Sequence, residues 1–312
     1  MFFKNLNIYR MGEKIDRDRL VGFLDANPFT PCLSSQERSA GFTEVVGLEE
    51  RVFTVSGCHL FCLMVEEKKV PPAAIKTAFN KEVQLMEKKE GRRLKRDEKK
   101  ALKEEIKARL LVNCPPQGKE TWAYIDTNQQ LLVMNTSSRK TGDAIAQAIR
   151  GAMESNILYP VKPQHEVSKM LTFWVSENKA PEPFSLGSKC TIGEGDGVIG
   201  YRNRDLAGDE RLQEYLRDNL FVSELELANG ERSTFTLTED FMIKAFDLTE
   251  LALGDHDGGT GEPLELLQAD IILMSAEVNS LLTSLLGALG GEASGEDDSS
   301  VDEHAHDGEQ SE

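Results

Sequence analysis

Seven of the twelve residues from Arg92 to Lys103 carry positive charge: Arg92, Arg93, Lys95, Arg96, Lys99, Lys100 and Lys103. Side chains of this type at this density bind phosphate. Lys and Arg on a rigid helix contact successive phosphates of a nucleic acid and release its condensed counterions, with no base reading required. Residues 68–109 hold 15 basic and 7 acidic residues, in a chain whose formal net charge is −17. The carboxylates nearby are too few to neutralise the run. The alternative is a solvated helical arm held by Glu–Lys pairs one turn apart. An acidic body is compatible with phosphate binding. It repels a polyanion everywhere except at the basic face, and so orients the encounter.

The remaining candidates for chemistry are weaker. The run "GEGDGVIG" (193–200) is glycine-rich but lacks the Lys-Ser/Thr of a phosphate loop, so it reads as a turn between strands. Cys58, His59 and Cys62 have metal-binding side chains, but no second ligand pair stands at zinc spacing. "DHDGG" (255–259) opens like a calcium loop without its closing Glu, and His304 and His306 lie in an acidic tail. No nucleophile–base constellation can be assembled, no Walker motif is present and no cofactor is implied. The sequence therefore points to a binding protein, not an enzyme. A protein-interaction module, docking an acidic partner through the basic arm, is the competing expectation.

The elements that must position the arm follow from periodicity. From Ala73 to Leu111 the residues are helix formers, with Ile75, Phe79, Val83 and Met86, then Leu94, Leu102, Ile106 and Leu110, on one face each side of Gly91. That predicts two antiparallel helices joined near Glu90-Gly91. Before the arm, residues 2–11 read as a strand, 16–27 as a short helix and 51–70 as two strands around a Gly break. After it, 121–137 reads as a hairpin turning near Asn128-Gln129, and 141–154 as a helix capped by Thr141. Pro160 and Pro163 mark a boundary. Beyond it come a helix (166–177), strands in "SKCTI" and "GVIGYR", a helix (208–219) and a hairpin centred on Asn229-Gly230. A long apolar helix (265–289) ends at Gly290-Gly291. The 21 residues from Glu292 hold nine acidic and no basic residues, and are expected to be disordered.

With 39% hydrophobic residues the chain can bury a sizeable core, and no uninterrupted run reaches the ~18–20 apolar residues that span a bilayer. "MFFKNLNIYRM" is too quickly charged to read as a signal peptide. Five scattered cysteines (32, 58, 62, 114 and 190) fit a reducing compartment. A cytoplasmic location is expected.

Several segments, in order, resemble the RdgC family: "FFKNLNIYR" (2–10), "PFTPC" (28–32), "KKVPPAAIKTAF" (68–79), "LKRDEKKALKEEIKARLL" (94–111), "YIDT" (124–127), "DGVIGYRNRDL" (196–206), "TLTEDFMIK" (236–244) and "ADIILMSAEVNSLLTSLLGALGGE" (269–292). The resemblance implies a cytoplasmic, nucleoid-associated double-stranded DNA binder without catalytic activity. It implies a ring-shaped homodimer that encircles duplex DNA with little sequence preference and restrains the RecA recombinase, with no membrane partner. It implies an α/β (α+β) fold: a centre of residues 1–70 and 112–160, an inserted helical-hairpin tip (71–111), a base (161–291) and the tail 292–312. Phosphate contacts are then expected from Lys76, Arg92, Arg93, Lys95, Arg96, Lys99 and Lys103 on the arm. The family has a polar-basic pair before the "DL" of residues 205–206; here those positions are Asn203 and Arg204, with Arg202 beside them, and Arg202 and Arg204 are expected to contribute to DNA binding. Two departures stand out. "VNCPPQG" puts Pro115 near the place of a family aromatic that closes the dimer gate, and "AFDLTE" (245–250) replaces a basic-aromatic run.

Overall fold

A computed structural model describes residues 1–45, 47–154, 157–193, 197–206, 208–254 and 262–294. In chain order the elements are β1 (Asn7–Met11), α1 (Arg17–Ala26), β2 (Arg38–Thr43), β3 (Phe53–Val55), β4 (Cys58–Glu67), α2 (Pro72–Glu90), α3 (Arg96–Val112), β5 (Gln117–Asp126), β6 (Leu131–Met134), α4 (Arg139–Arg150), β7 (Leu158–Pro160), α5 (Val167–Ser176), β8 (Phe184–Ile192), β9 (Ile199–Tyr201), α6 (Glu210–Arg217), β10 (Val222–Asn229), β11 (Ser233–Thr238), β12 (Ile243–Leu248), α7 (Glu250–Leu253) and α8 (Pro263–Ala288). The chain is a mixed α and β protein, as its patterning predicts. Two compact units form: Met1–Phe3 with Gly12–Asn156 and Thr260–Ile272, and Lys4–Met11 with Ile157–Gly259 and residues 273 onward.

In the first unit the sheet runs β2–β4–β5–β6, with β3 also against β4. Its spine is the antiparallel pair β4/β5, in register from Cys58↔Asp126 to Glu67↔Gln117. Cys58 to Leu63 are all buried, so this half of β4 is covered on both faces and its sequence is a continuous apolar run. The other half, Met64–Glu67 with Gln117–Glu120, emerges toward solvent. The connection between these two ends is α2 and α3. At the buried end Ser56 and Gly57, both at positive φ, turn β3 into β4. The β5–β6 turn is built on Asp126, whose carboxylate accepts from the N–H groups of Asn128 (2.9 Å) and Gln129 (3.0 Å).

In the second unit a five-stranded antiparallel sheet has the order β12–β11–β10–β8–β9, and β1 pairs β7. The β10/β11 hairpin turns at Gly230, φ 52°. Helix α8 is apolar and long enough to cross a membrane by length and composition. In this unit it buries a stripe of Met274, Val278, Leu281, Leu282 and Leu285, with Leu289 buried just past its end, and its buried Glu277 is paired with Arg232. Gly290 and Gly291, φ 87° and 100°, end it.

Three sequence expectations are corrected. The first strand is shorter than residues 2–11: it begins at Asn7, while Leu6 exchanges backbone bonds with Ile243. Helix α4 starts a turn earlier than expected. Ser138, not Thr141, is its N-cap, because the Ser138 hydroxyl accepts from the Thr141 N–H at 3.3 Å. Finally β2, for which no strand was expected, pairs β4 from Arg38↔Glu67 to Thr43↔Cys62. Residues 194–196 of the glycine-rich run, the "DHDGG" loop, His304, His306 and the tail from 295 lie outside the described residues.

Candidate functional site

The arm is two helices that share a narrow seam. Gly91 ends α2 in the left-handed region (φ 66°), and α3 begins five residues later. Leu94, Leu102 and Ile106 are the buried side chains of the seam, with Ala78, Phe79, Val83 and Leu110 packed against them. Helix α2 has no fully buried residue. Ion pairs fix the direction. Arg109 meets Glu82 at 3.0 Å and Lys99 meets Glu87 at 3.2 Å, so numbers rise along one helix as they fall along the other. The helices are antiparallel, and these ties cross between helices instead of running one turn along one helix.

The loop 91–95 is clamped by two carboxylates. Glu98 accepts two bonds from the Arg92 guanidinium (2.7 and 2.8 Å) and one from the Lys95 N–H (2.7 Å), an otherwise unpaired donor at the start of α3. Glu87 accepts from the Leu94 N–H at 3.0 Å. The Arg92 bond, then the Lys95 N–H, hold the Glu98 carboxyl down to about 2. An ordinary Glu titrates near ~4.3 in the unfolded chain. Its folded value is depressed, so its stabilising effect is complete above ~4.3 and is lost as pH falls toward about 2. We therefore expect the Lys95 amide to exchange faster as pH falls through that window, after correction for intrinsic rates. The Glu98→Gln variant should show weak protection without that acid step. An identical acid step in the variant would show that the clamp is not made by Glu98.

The arm's cations now divide into two groups. Arg92 is engaged by Glu98 and Glu90, Lys99 by Glu87, Arg109 by Glu82, Lys107 by Glu37 at 2.7 Å and Lys69 by Glu67 at 2.8 Å. Lys68 is buried, its ammonium donating to the carbonyls of Leu33 (2.8 Å) and Ser34 (3.1 Å). The rest are Lys76, Lys81, Lys88, Lys89, Arg93, Lys95, Arg96, Lys100 and Lys103. All are exposed, and none has a carboxylate of the described residues within ion-pair distance. Only Asp97, Glu104 and Glu105 remain uncommitted among the arm's acids.

Five of the seven arm residues singled out from the sequence are thus unpaired: Lys76, Arg93, Lys95, Arg96 and Lys103. Arg92 and Lys99 are corrected in one respect, since their neighbours do neutralise them. Lys81, Lys88 and Lys89 are additions, and Lys100, already counted in the basic run, joins the unpaired set. Helical spacing orders it: Arg96, Lys100, Lys103 and Lys107 stand at i, i+4, i+7 and i+11, one stripe about 16 Å long at 1.5 Å per residue. Glu105 falls on the opposite side of that helix.

Arg202 and Arg204 follow β9 in the second unit. Arg204 is tied to Asp209 at 2.8 Å, and the same carboxylate caps α6 through the Leu212 N–H at 3.1 Å. Arg204 thereby holds the Asp209 carboxyl below its usual range. Arg202 is exposed, without a carboxylate of the described residues in ion-pair reach. Asn203 between them has φ 53°, a conformation that Asn tolerates.

The cysteine and histidine candidates of the sequence lie in the first sheet. Cys58, His59 and Cys62 lie in the buried half of β4. Burial raises the Cys62 thiol to about 11 and lowers His59, whose Nδ1 is 3.0 Å from the Thr54 hydroxyl. Among the described residues no group of three or more His, Cys, Asp or Glu is placed to hold a metal ion.

The profile of the family described as "Putative exonuclease, RdgC" matches residues 1–292. The chain belongs to the RdgC family. It is 30% identical over 302 residues to the recombination-associated protein RdgC of Psychromonas ingrahamii, covering 94% of this chain and 100% of that one. It is 32% identical over 300 residues to that of Aeromonas hydrophila, covering 94% and 99%. For Shewanella piezotolerans the figures are 30% over 299 residues, 93% and 98%. The match stops at 292. Glu292 itself is held by Arg10 at 2.6 Å and forms a bridge with Pro163.

Proposed function

We propose that this RdgC-family member is a recombination-associated protein that binds double-stranded DNA without sequence preference and without cleaving it. It acts in the cytoplasm on the nucleoid, as a homodimer that encircles the duplex and limits access of the RecA recombinase. One observation carries this reading: nine exposed cations, none with an ion-pair partner among the described residues, gather on one helical arm of a chain whose net charge is −17. Such an arm neutralises phosphates along a duplex while the acidic remainder is repelled. The word exonuclease in the family description makes cleavage the alternative to test.

The test is affinity for a mixed-sequence labelled duplex across a salt series. Four phosphate contacts per arm give log K against log salt a slope of about −3.6 per arm. A second duplex of unrelated sequence should superimpose. No binding at low salt would defeat the reading. Release of end label with magnesium or manganese would replace binding by catalysis.

One observation favours a second reading. Leu85 and Met86 are 54% and 38% exposed on α2, an apolar pair beside the cations, as on a protein-docking face. That reading predicts a partner complex that survives nuclease treatment.

A further inference from the structure

The last cation of the α3 stripe is already occupied. Lys107 continues Arg96, Lys100 and Lys103 along one face, yet its ammonium is 2.7 Å from the Glu37 carboxylate, 70 residues away in sequence. Glu37 is presented on a pinned loop. The Glu37 carbonyl accepts from the Lys68 N–H at 2.8 Å, and the Lys68 ammonium holds the carbonyls of Leu33 and Ser34. Glu66 accepts from the Cys32 N–H at 2.8 Å, and the Ser39 hydroxyl donates to the Thr30 carbonyl. The backbone that carries Glu37 is thus already ordered, and only its side chain loses freedom in making the pair. Both partners stay partly exposed, Lys107 at 40% and Glu37 at 57%, so an incoming anion can reach the ammonium. An exposed pair of this kind is worth at most about fivefold in an equilibrium constant, which one phosphate contact can match.

We propose that Glu37 is a built-in competitor for the duplex: it occupies the fourth phosphate position of the α3 stripe, Lys107, until a DNA phosphate displaces it. This rests on the duplex-binding reading above. The exchange is one of ion partners alone, with no proton transferred. The Glu37 carboxylate returns to water as the phosphate takes its place. Part of the affinity of the fourth contact is spent in breaking the pair, so the arm binds more weakly than its charge count implies and releases more readily.

The experiment is a four-protein comparison on the full chain: wild type, Glu37→Gln, Lys107→Gln and the double variant, each titrated with mixed-sequence duplex at several salt concentrations. We expect Glu37→Gln to tighten binding about 3–5-fold near 0.1 M salt, and Lys107→Gln to reduce the magnitude of the slope by about 0.9. In the Lys107→Gln background, Glu37→Gln should change affinity by less than about twofold, because nothing is left to release. The same tightening with and without Lys107 would mean that Glu37 acts as a distant charge, and would overturn the competitor. Unchanged affinity of Glu37→Gln would overturn it as well. A wild type that does not bind duplex at low salt would instead remove the reading on which the competitor rests. Thermal melts of all four exclude unfolding as the cause.

Discussion

The variant Arg93→Glu, Arg96→Glu, Lys100→Glu, Lys103→Glu is expected to lose duplex affinity on the order of 10³-fold near 0.1 M salt, with a melting temperature within about 2 °C of wild type. The two halves of that expectation have separate grounds. Affinity falls because each phosphate contact is worth about 0.9 of a decade per decade of salt, and four are removed. The fold survives because all four side chains are exposed and none has a carboxylate partner among the described residues, so nothing buried is left unsatisfied. Arg96 opens α3, where a Glu is favoured by the helix dipole. The contrast is the pair Arg92→Glu, Lys99→Glu. These break the Glu98 and Glu87 clamps, so they should cost more stability and less affinity. An equal loss of log affinity per substitution in the two variants would mean that total charge matters and the stripe does not. Unchanged binding in the first would remove the arm from the account.

The arm's existence was legible in the sequence because its signals are local. Helix-forming composition, a 3-4-8 spacing of apolar residues and a glycine at the reversal all act within one turn or two. The Asn229-Gly230 hairpin and the Gly290-Gly291 stop were readable for the same reason. What escaped depends on distance along the chain. Strand β2, "RSAGFT", has no apolar run or alternation long enough to declare itself. It is a strand because β4 offers it an edge, and because Gly41 passes so close to the Phe29 backbone that a Cβ would lie at 2.5 Å. The sorting of the cations escaped for a like reason. Nothing near Lys107 in sequence announces Glu37, and nothing near Lys68 announces that its ammonium is buried under a turn. Residue type locates a charged arm, but tertiary pairing decides which of its charges remain available.

Within the arm, the largest effect on stability should come from Ile106, an uncharged side chain of the seam. Helices in proteins draw most of their stability from packing, and α2 and α3, of 19 and 17 residues, have one narrow seam to supply it. Here α2 buries no residue fully, and the seam contains only Leu94, Leu102 and Ile106 as buried side chains, Ile106 at 0% exposure. Ile106→Ala removes three carbons from the one fully enclosed position and should destabilise by about 2–5 kcal/mol. The loss is expected to be local. Strands β4 and β5 carry their own buried ladder from Cys58↔Asp126 to Leu63↔Thr121, which does not need the arm to stay paired. Amide exchange should therefore speed up by about 30-fold or more across residues 72–112, while protection at 58–63 and 121–126 is kept. Uniform loss of protection would mean that arm and sheet unfold as one. Duplex affinity of the same variant then reports on mechanism. A steep loss with every cation still present would show that the stripe works because the helix spaces it. Full affinity from a melted arm would show that local charge density alone binds the phosphates, and that the register of Arg96, Lys100 and Lys103 is incidental.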